Sequence, residues 1–229
     1  VWAFATAGVK APLLFEAVAL HVPEKMAQFN AQFNAQALSN TAWAFAKAGV
    51  SAPLLFQAIA AEAPKQISKF NAHELANTAW AFATAGVEAP ALFETVGAEA
   101  VKKMATLTPR DLASTLWAFA KEREGNLELF DAAAAQAQRV IAQFNAQDLA
   151  NTVWAFSTAG AATHHIPLFD AIALEAPKKM QTFSSQALAN TAWAYSAAGI
   201  EAPRLFDGVA DEAVRGISAF NAQELANIV

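Results

Sequence analysis

FNAHELANTAW, residues Phe70–Trp80, recurs along this chain with few changes. It appears as FNAQALSNTAW at Phe33–Trp43, LTPRDLASTLW at Leu107–Trp117, FNAQDLANTVW at Phe144–Trp154 and FSSQALANTAW at Phe183–Trp193. A further copy begins at Phe220 and reaches Val229 short of its Trp. Self-similarity of this kind restricts a chain to repeat architectures, because each unit buries its apolar face only against the next. The Trp column runs Trp2, Trp43, Trp80, Trp117, Trp154, Trp193, with spacings of 41, 37, 37, 37 and 39. The base period is therefore 37. The 41 comes from a doubled FNAQ at Phe29–Gln36, and the 39 from two extra residues around His164 and His165 in the turn between helices. Repeat arrays tolerate insertions in turns.

Each copy reads as a helix start. Asn71 suits an N-cap, and Glu74 three residues on completes a capping box. Phe70 and Leu75 then stand as the N′ and N4 residues of a hydrophobic staple. The pattern repeats with Thr108, Pro109 and Asp111, with Asn145 and Asp148, and with Asn221 and Glu224. The helix runs about four turns to Gly8, Gly49, Gly86, Gly160 or Gly199, each placed as a left-handed C′ residue. Val9, Val50, Val87 and Ile200 follow as the apolar C″ residue. In the unit beginning at Leu107, Arg123 occupies the glycine slot and Gly125 comes two residues later, so a longer first helix is expected there.

The second half of each unit is also helical. It opens on Pro12, Pro53, Pro90, Pro167 or Pro203, suited to a first turn. Phe15, Phe56, Phe93, Phe130, Phe169 and Phe206 follow at a steady offset, each with an acidic residue or Gln after it. Eight residues beyond that Phe, Pro23, Pro64 and Pro177 predict a kink or restart, whereas Val101, Gln138 and Val214 allow the helix to run through. The expected fold is all-α: an α-solenoid of about six stacked helix–turn–helix repeats, with no β structure. Its units are approximately 1–32, 33–69, 70–106, 107–143, 144–182 and 183–219, with 220–229 partial. Both ends fall mid-repeat, so the sequence reads as part of a longer protein.

At 100° per residue the first helix divides into two arcs. Leu75, Phe82, Ala79, Ala72, Ala83, Ala76 and Trp80 fill the apolar one, with Trp80 at its edge beside His73 and Thr84. His73, Thr84, Asn77, Glu74 and Thr78 fill the polar one; Ala81 and Ala85 lie on that side, small enough to allow close approach. The most polar line is His73–Asn77–Thr84. Its equivalents are Gln36–Asn40–Lys47, Arg110–Ser114–Lys121, Gln147–Asn151–Thr158 and Gln186–Asn190–Ala197. Stacked, these become three columns: a central one that is nearly all Asn and two that vary. A modular reader of an extended polymer needs such a layout, constant groups gripping the backbone and variable ones discriminating. The competing reading is that Asn and Thr bond to neighbouring helices.

A second column, Lys65, Lys102, Arg139, Lys178 and Arg215, lies near the end of the second helix. One cation per repeat suits one phosphate per nucleotide. Equally, these cations complement the helix C-terminus and pair with Glu62, Glu99, Glu175 and Glu212 three residues earlier. The Trp column, on the apolar arc, reads as core between repeats; exposed, it would offer stacking platforms for bases.

No apolar run approaches the roughly 18 residues that span a bilayer, and the absence of Cys rules out disulfides and thiolate metal sites. The net charge of −5 argues against a strongly electrostatic nucleic-acid binder. There is no Gly-rich phosphate loop and no nucleophile motif. The adjacent His164 and His165 lack further ligands and read as surface residues. Neither an enzyme, a cofactor, a metal site nor a small-molecule substrate is expected.

The unit LANTAWAFATAGV, followed by APALF, resembles the heptatricopeptide and octotricopeptide repeats and the repeats that precede the RAP domain in FAST-kinase-like proteins. Leu75, Ala76, Asn77, Trp80, Ala81, Phe82, Ala83, Pro90 and Phe93 carry the resemblance, which covers essentially the whole chain; the period is nearer the heptatricopeptide class. It implies an RNA-binding α-solenoid of a mitochondrion or chloroplast, acting in RNA processing, stability, translation or ribosome assembly. It implies too that single-stranded RNA lies on the first-helix columns. The alternative is a non-catalytic protein-binding or structural scaffold within an organellar complex, using its Asn ladder as armadillo repeats do to hold an extended peptide.

Overall fold

A computed structural model describes residues 1–28 and 33–228. Among these there are thirteen α-helices and no strand. Their ends form where the side chains demand. The Asn71 and Glu74 side chains exchange hydrogen bonds with each other's backbone N–H groups at 2.9 and 2.8 Å, closing a capping box at the head of α5 (Ala72–Ala85). Asn145 and Asp148 do the same for α9 (Ala146–Thr158), Thr108 and Asp111 for α7 (Pro109–Lys121), and Asn221 and Glu224 for α13 (Ala222–Ile228). Asn34 caps α3 (Ala35–Ala48), and Ser184 caps α11 (Ser185–Ala198). At the other end, Gly86 takes φ +65°; its N–H and that of Val87 close back onto Ala83 and Phe82. That double closure satisfies carbonyls the helix leaves unpaired.

The unit with Arg123 departs from expectation. Its first helix does not run on: α7 ends at Lys121, and Arg123 itself enters the left-handed region at φ 58°. The same two closures form, Arg123 N–H to Ala120 and Glu124 N–H to Phe119. The turn geometry prevails over the side chain's preference. The doubled FNAQ falls partly on residues 29–32 and lies outside the described residues.

The second helices are α2 (Pro12–Gln28), α4 (Pro53–Glu62), α6 (Pro90–Lys102), α8 (Leu127–Val140), α10 (Ile166–Glu175) and α12 (Pro203–Arg215); α1 (Trp2–Ala7) belongs with the first helices. As the prolines predict, α4 and α10 stop two residues before Pro64 and Pro177 and give way to 3-10 turns at Ala63–Lys69 and Ala176–Thr182. α6, α8 and α12 run through. Pro23, by contrast, sits inside α2 without ending it.

The chain divides into two compact units, Val1–Asp111 and Leu112–Val229. In the first, α1, α3 and α5 pack side by side, and α2, α4 and α6 form the second layer. In the second, α9, α11 and α13 form one layer and α8, α10 and α12 the other. The layers meet through aromatic pairs, the Phe of a second helix standing edge-on to the ring of the next first helix. Phe15–Phe45 and Phe56–Phe82 meet at 5.0 Å in the first unit; Phe130–Phe156 at 5.0 Å and Phe169–Tyr195 at 5.1 Å do so in the second. Such pairs contribute about 0.5–1.5 kcal/mol beyond burial alone. The Tyr195 hydroxyl donates to the Phe169 carbonyl at 2.7 Å, and burial pushes its phenol well above the ordinary range. Among the described residues no helix is long and apolar enough to cross a membrane.

Candidate nucleic-acid interface

A first helix flanked by two others and backed by a second layer has little free surface. Ala79, Ala83 and Leu75 are buried, as the apolar arc requires, but so are Thr78 and Ala81 from the polar arc. Thr78 turns its hydroxyl onto the Glu74 carbonyl at 2.7 Å; Thr152 and Thr191 do the same onto Asp148 and Ala187. What remains is a stripe about 60° wide at 100° per residue, holding Trp80, His73, Thr84 and Asn77. The sequence-derived polar arc is therefore too broad, because one of its flanks faces a neighbouring helix.

The outer column Gln36, His73, Arg110, Gln147, Gln186 is exposed at every position. The central column Asn40, Asn77, Ser114, Asn151, Asn190 is half-buried at every position. In the third column Lys47, Lys121 and Thr158 are exposed, whereas Thr84 is half-buried and its hydroxyl has no partner. The Asn side chains form no bond to neighbouring helices. Asn77 donates to His73 Nε2 at 3.0 Å and Asn151 accepts from Gln147 at 2.7 Å, both within their own helix. Among the described residues, Asn40 and Asn190 have no side-chain partner. The reading in which Asn and Thr bond to neighbouring helices thus fails for both: the Thr that follows Asn77, Asn151 and Asn190 is buried but bonds its own helix, and the Asn bonds within its helix or not at all.

His73 also reaches the cap of the next copy of the motif, its Nδ1 lying 2.8 Å from Asp111. Charge is sorted along the chain. Of the fifteen positions in the three columns, Lys47, Arg110 and Lys121 are cationic and none is acidic. The acids instead form an exposed column on the second helices: Glu16, Glu94, Asp131, Asp170 and Asp207. A net charge of −5 therefore says little about the stripe.

The basic column is exposed throughout. Lys65, Lys102, Lys178 and Arg215 pair with Glu62, Glu99, Glu175 and Glu212 at 2.7, 3.1, 2.7 and 3.0 Å. Arg139 has Gln136 three residues earlier in place of an acid. The residue after this column matters more to the fold, and the sequence pattern did not single it out. Lys103 lies 2.9 Å from Glu99 and donates to the Ser68 and Phe70 carbonyls; Lys179 lies 3.0 Å from Glu175 and donates to Ala142 and Phe144. Gln66, in the same slot, donates to the Phe33 carbonyl at 2.8 Å. Each fastens a second helix to the chain entering its own unit. Glu99 and Glu175 are buried beneath these ammonium groups. The hydrogen bond from Lys103 holds Glu99 below its ordinary value, and that from Lys178 does so for Glu175.

Two sequence expectations need correction. Trp43, Trp80, Trp117, Trp154 and Trp193 are half-buried rather than core, because they sit on the free stripe. His165 is not a surface residue: only 15% of its side chain is exposed, its ring stands edge-on to Phe156, and Nε2 lies 3.1 Å from Asp131. The inserted turn folds inward there, while His164 is exposed. No group of three or more His, Asp or Glu among the described residues is placed to hold a metal.

Residues 64–229 match the family of RNA-editing substrate-binding complex 6 protein. The chain belongs to that family. The match spans the later part of the first compact unit, all of the second, and every copy of the motif after the one at Phe33. No curated protein matches the chain at a significant level.

Proposed function

We propose that this member of the family is a non-catalytic, RNA-binding α-solenoid of about 37-residue repeats, a subunit of an RNA-editing substrate-binding complex that holds single-stranded RNA along its first-helix stripe. The observation that carries the reading is the stripe: one amide or hydroxyl per repeat, free of any bond to a neighbouring helix, in columns that hold three cations and no carboxylate of their own. Polar groups kept half-buried and uncommitted suit a polar ligand, and an acid-free surface suits a polyanion. The family name supports RNA and a multiprotein setting. The mitochondrion is the proposed compartment, and kinship with heptatricopeptide and octotricopeptide repeats is part of the same proposal. The exposed ends of the Lys65, Lys102, Arg139, Lys178 and Arg215 side chains would add phosphate contacts, with ion pairs orienting all but Arg139.

The second reading is a scaffold. It draws on large apolar side chains left exposed on second helices: Leu13 and Leu54 in the first unit, Leu127 and Leu174 in the second. The two readings are compatible, since the faces are different helices of each pair.

The deciding experiment is titration of the chain with short single-stranded RNA at two salt concentrations. Binding that weakens steeply with salt supports the proposal; each phosphate contact contributes about 0.7 to the log–log slope. No binding at low salt overturns the RNA reading and leaves the scaffold. Changing Lys65, Lys102 and Arg139 together to Gln lowers the slope if they meet phosphates and leaves it unchanged if they are purely structural.

A further inference from the structure

The tryptophans are the part of the stripe that neither the family name nor the polar columns explain. A large aromatic ring gains most from full burial, yet all five first-helix tryptophans from Trp43 to Trp193 stay half-exposed, while the neighbouring Phe or Tyr two residues on is buried in every case. The helix that buries Phe156 could bury Trp154 only by rotating the stripe inward.

The second unit shows what the rings do. Trp117 and Trp154 approach to 6.3 Å between centroids with planes tilted by 33°, so rings from successive first helices lie nearly side by side. The exposed Lys121, one turn along α7, places its Nζ 4.9 Å from the Trp117 centroid. That spacing is a cation–π contact. An indole face, a cation over it and a second indole alongside make a site for a group both flat and negatively charged. Single-stranded nucleotides have that chemistry: a π-face on the base and charge on the phosphate. A peptide ligand would use the Asn amides but has no need of the aromatic pair.

We propose that Trp117, Lys121 and Trp154 form a base-stacking site for single-stranded RNA, in which the rings take the bases and Lys121 the adjoining phosphate. This inference rests on the RNA reading of the stripe and adds to it a sequence-tolerant binding mode. Stacking accepts any base, so this site contributes affinity and leaves discrimination to the variable column.

The test compares three ligands and two variants of the chain by fluorescence anisotropy. The ligands are a labelled oligouridylate, an oligoadenylate of equal length, and an abasic ribose-phosphate oligomer of the same length and charge. Wild type should bind the two base-bearing oligomers about tenfold or more tighter than the abasic one. Trp117→Leu with Trp154→Leu should abolish that preference, whereas Trp117→Phe with Trp154→Phe retains most of it. If wild type binds abasic and base-bearing oligomers equally, stacking is overturned while RNA binding stands. If none of the three is bound, the RNA reading falls as well. An absence of preference in wild type refutes stacking whether or not the leucine variant folds.

Discussion

Replacing Asn77, Asn151 and Asn190 together by Ala separates a ligand-binding stripe from a structural one. The structure sets the expected cost to folding. All three side chains are half-buried; Asn77 and Asn151 each make one bond within their own helix, and Asn190 makes none. A pair of that type contributes about 0.2–0.5 kcal/mol to a helix. Against this, Ala is favoured over Asn in a helix interior by up to about 0.7 kcal/mol. Two such bonds are lost and three Ala gained, so the triple variant should be at most about 1 kcal/mol less stable than wild type, a fall of no more than about 2–4 °C in melting temperature for a chain of this size. Binding should respond quite differently. One ligand hydrogen bond lost per repeat, at about 0.5–1.5 kcal/mol each, weakens affinity for single-stranded RNA between about tenfold and a thousandfold. The matching control is Thr78, Thr152 and Thr191 to Val, which removes buried hydroxyls and should leave affinity alone once the protein is folded. Circular dichroism melts and anisotropy titrations on the same samples give both quantities. A triple Asn variant that melts much lower yet binds RNA as wild type does would refute the reasoning, since the Asn would then be holding helices together after all.

Two other predictions concern the scaffold. Arg123→Gly should stabilise the protein: a left-handed L-residue costs about 1–2 kcal/mol, and glycine's extra freedom in the unfolded chain offsets about half of that. The reverse change, Gly86→Ala, should destabilise by about 1 kcal/mol through the backbone alone, because an added Cβ meets nothing within 4 Å. Thermal melts that leave both variants at the wild-type temperature would show the turn to be indifferent to residue type. The second prediction is acid sensitivity. Glu99 and Glu175 are held below their ordinary value of 4.5 by the lysines above them, so their contribution is full above that value and is lost as pH falls towards the depressed folded value. Glu99→Gln with Glu175→Gln should therefore be less stable near neutrality and show a shallower loss of stability on acidification, read by urea melts across about pH 3–7; an unchanged acid profile would mean that the lysines, not the carboxylates, carry the fastening.

Much of this fold could be read from the sequence because its signals are local. A capping box needs only Asn71 and Glu74, and a left-handed closure needs only Gly86 and Val87. Arg123 shows where local preference loses: two backbone closures and the packing of Phe119 outweigh the strain of one residue. The site was less legible because burial is a property of neighbours. A helical wheel treats Thr78 and Asn77 as adjacent polar positions, but one faces the next helix and the other faces out. The same blindness moved Trp80 into the core and His165 onto the surface. Lys103 and Lys179 were missed for a different reason: their partners are backbone carbonyls 33–37 residues away, which leave no trace in residue type.

The repeated dipeptide Asn-Thr condenses the logic of the array. Adjacent residues on a helix point about 100° apart, so a stripe bounded by two neighbouring helices forces one member of the pair inward and the other outward. Thr meets the inward demand by bonding its own helix, which leaves it independent of what lies next door. Asn meets the outward one with an amide that the fold does not use. Because the fold does not use it, the central column can keep Asn while its flank changes from Gln to His, and take Ser114 beside Arg110, without disturbing the packing. The exposed acids early in the second helices follow from the same separation of faces: they lower the net charge away from the three columns and leave those columns without a carboxylate of their own. A chain that is acidic overall can in this way present a surface suited to RNA, and the surface is set by which face of each helix pair carries the exposed carboxylates.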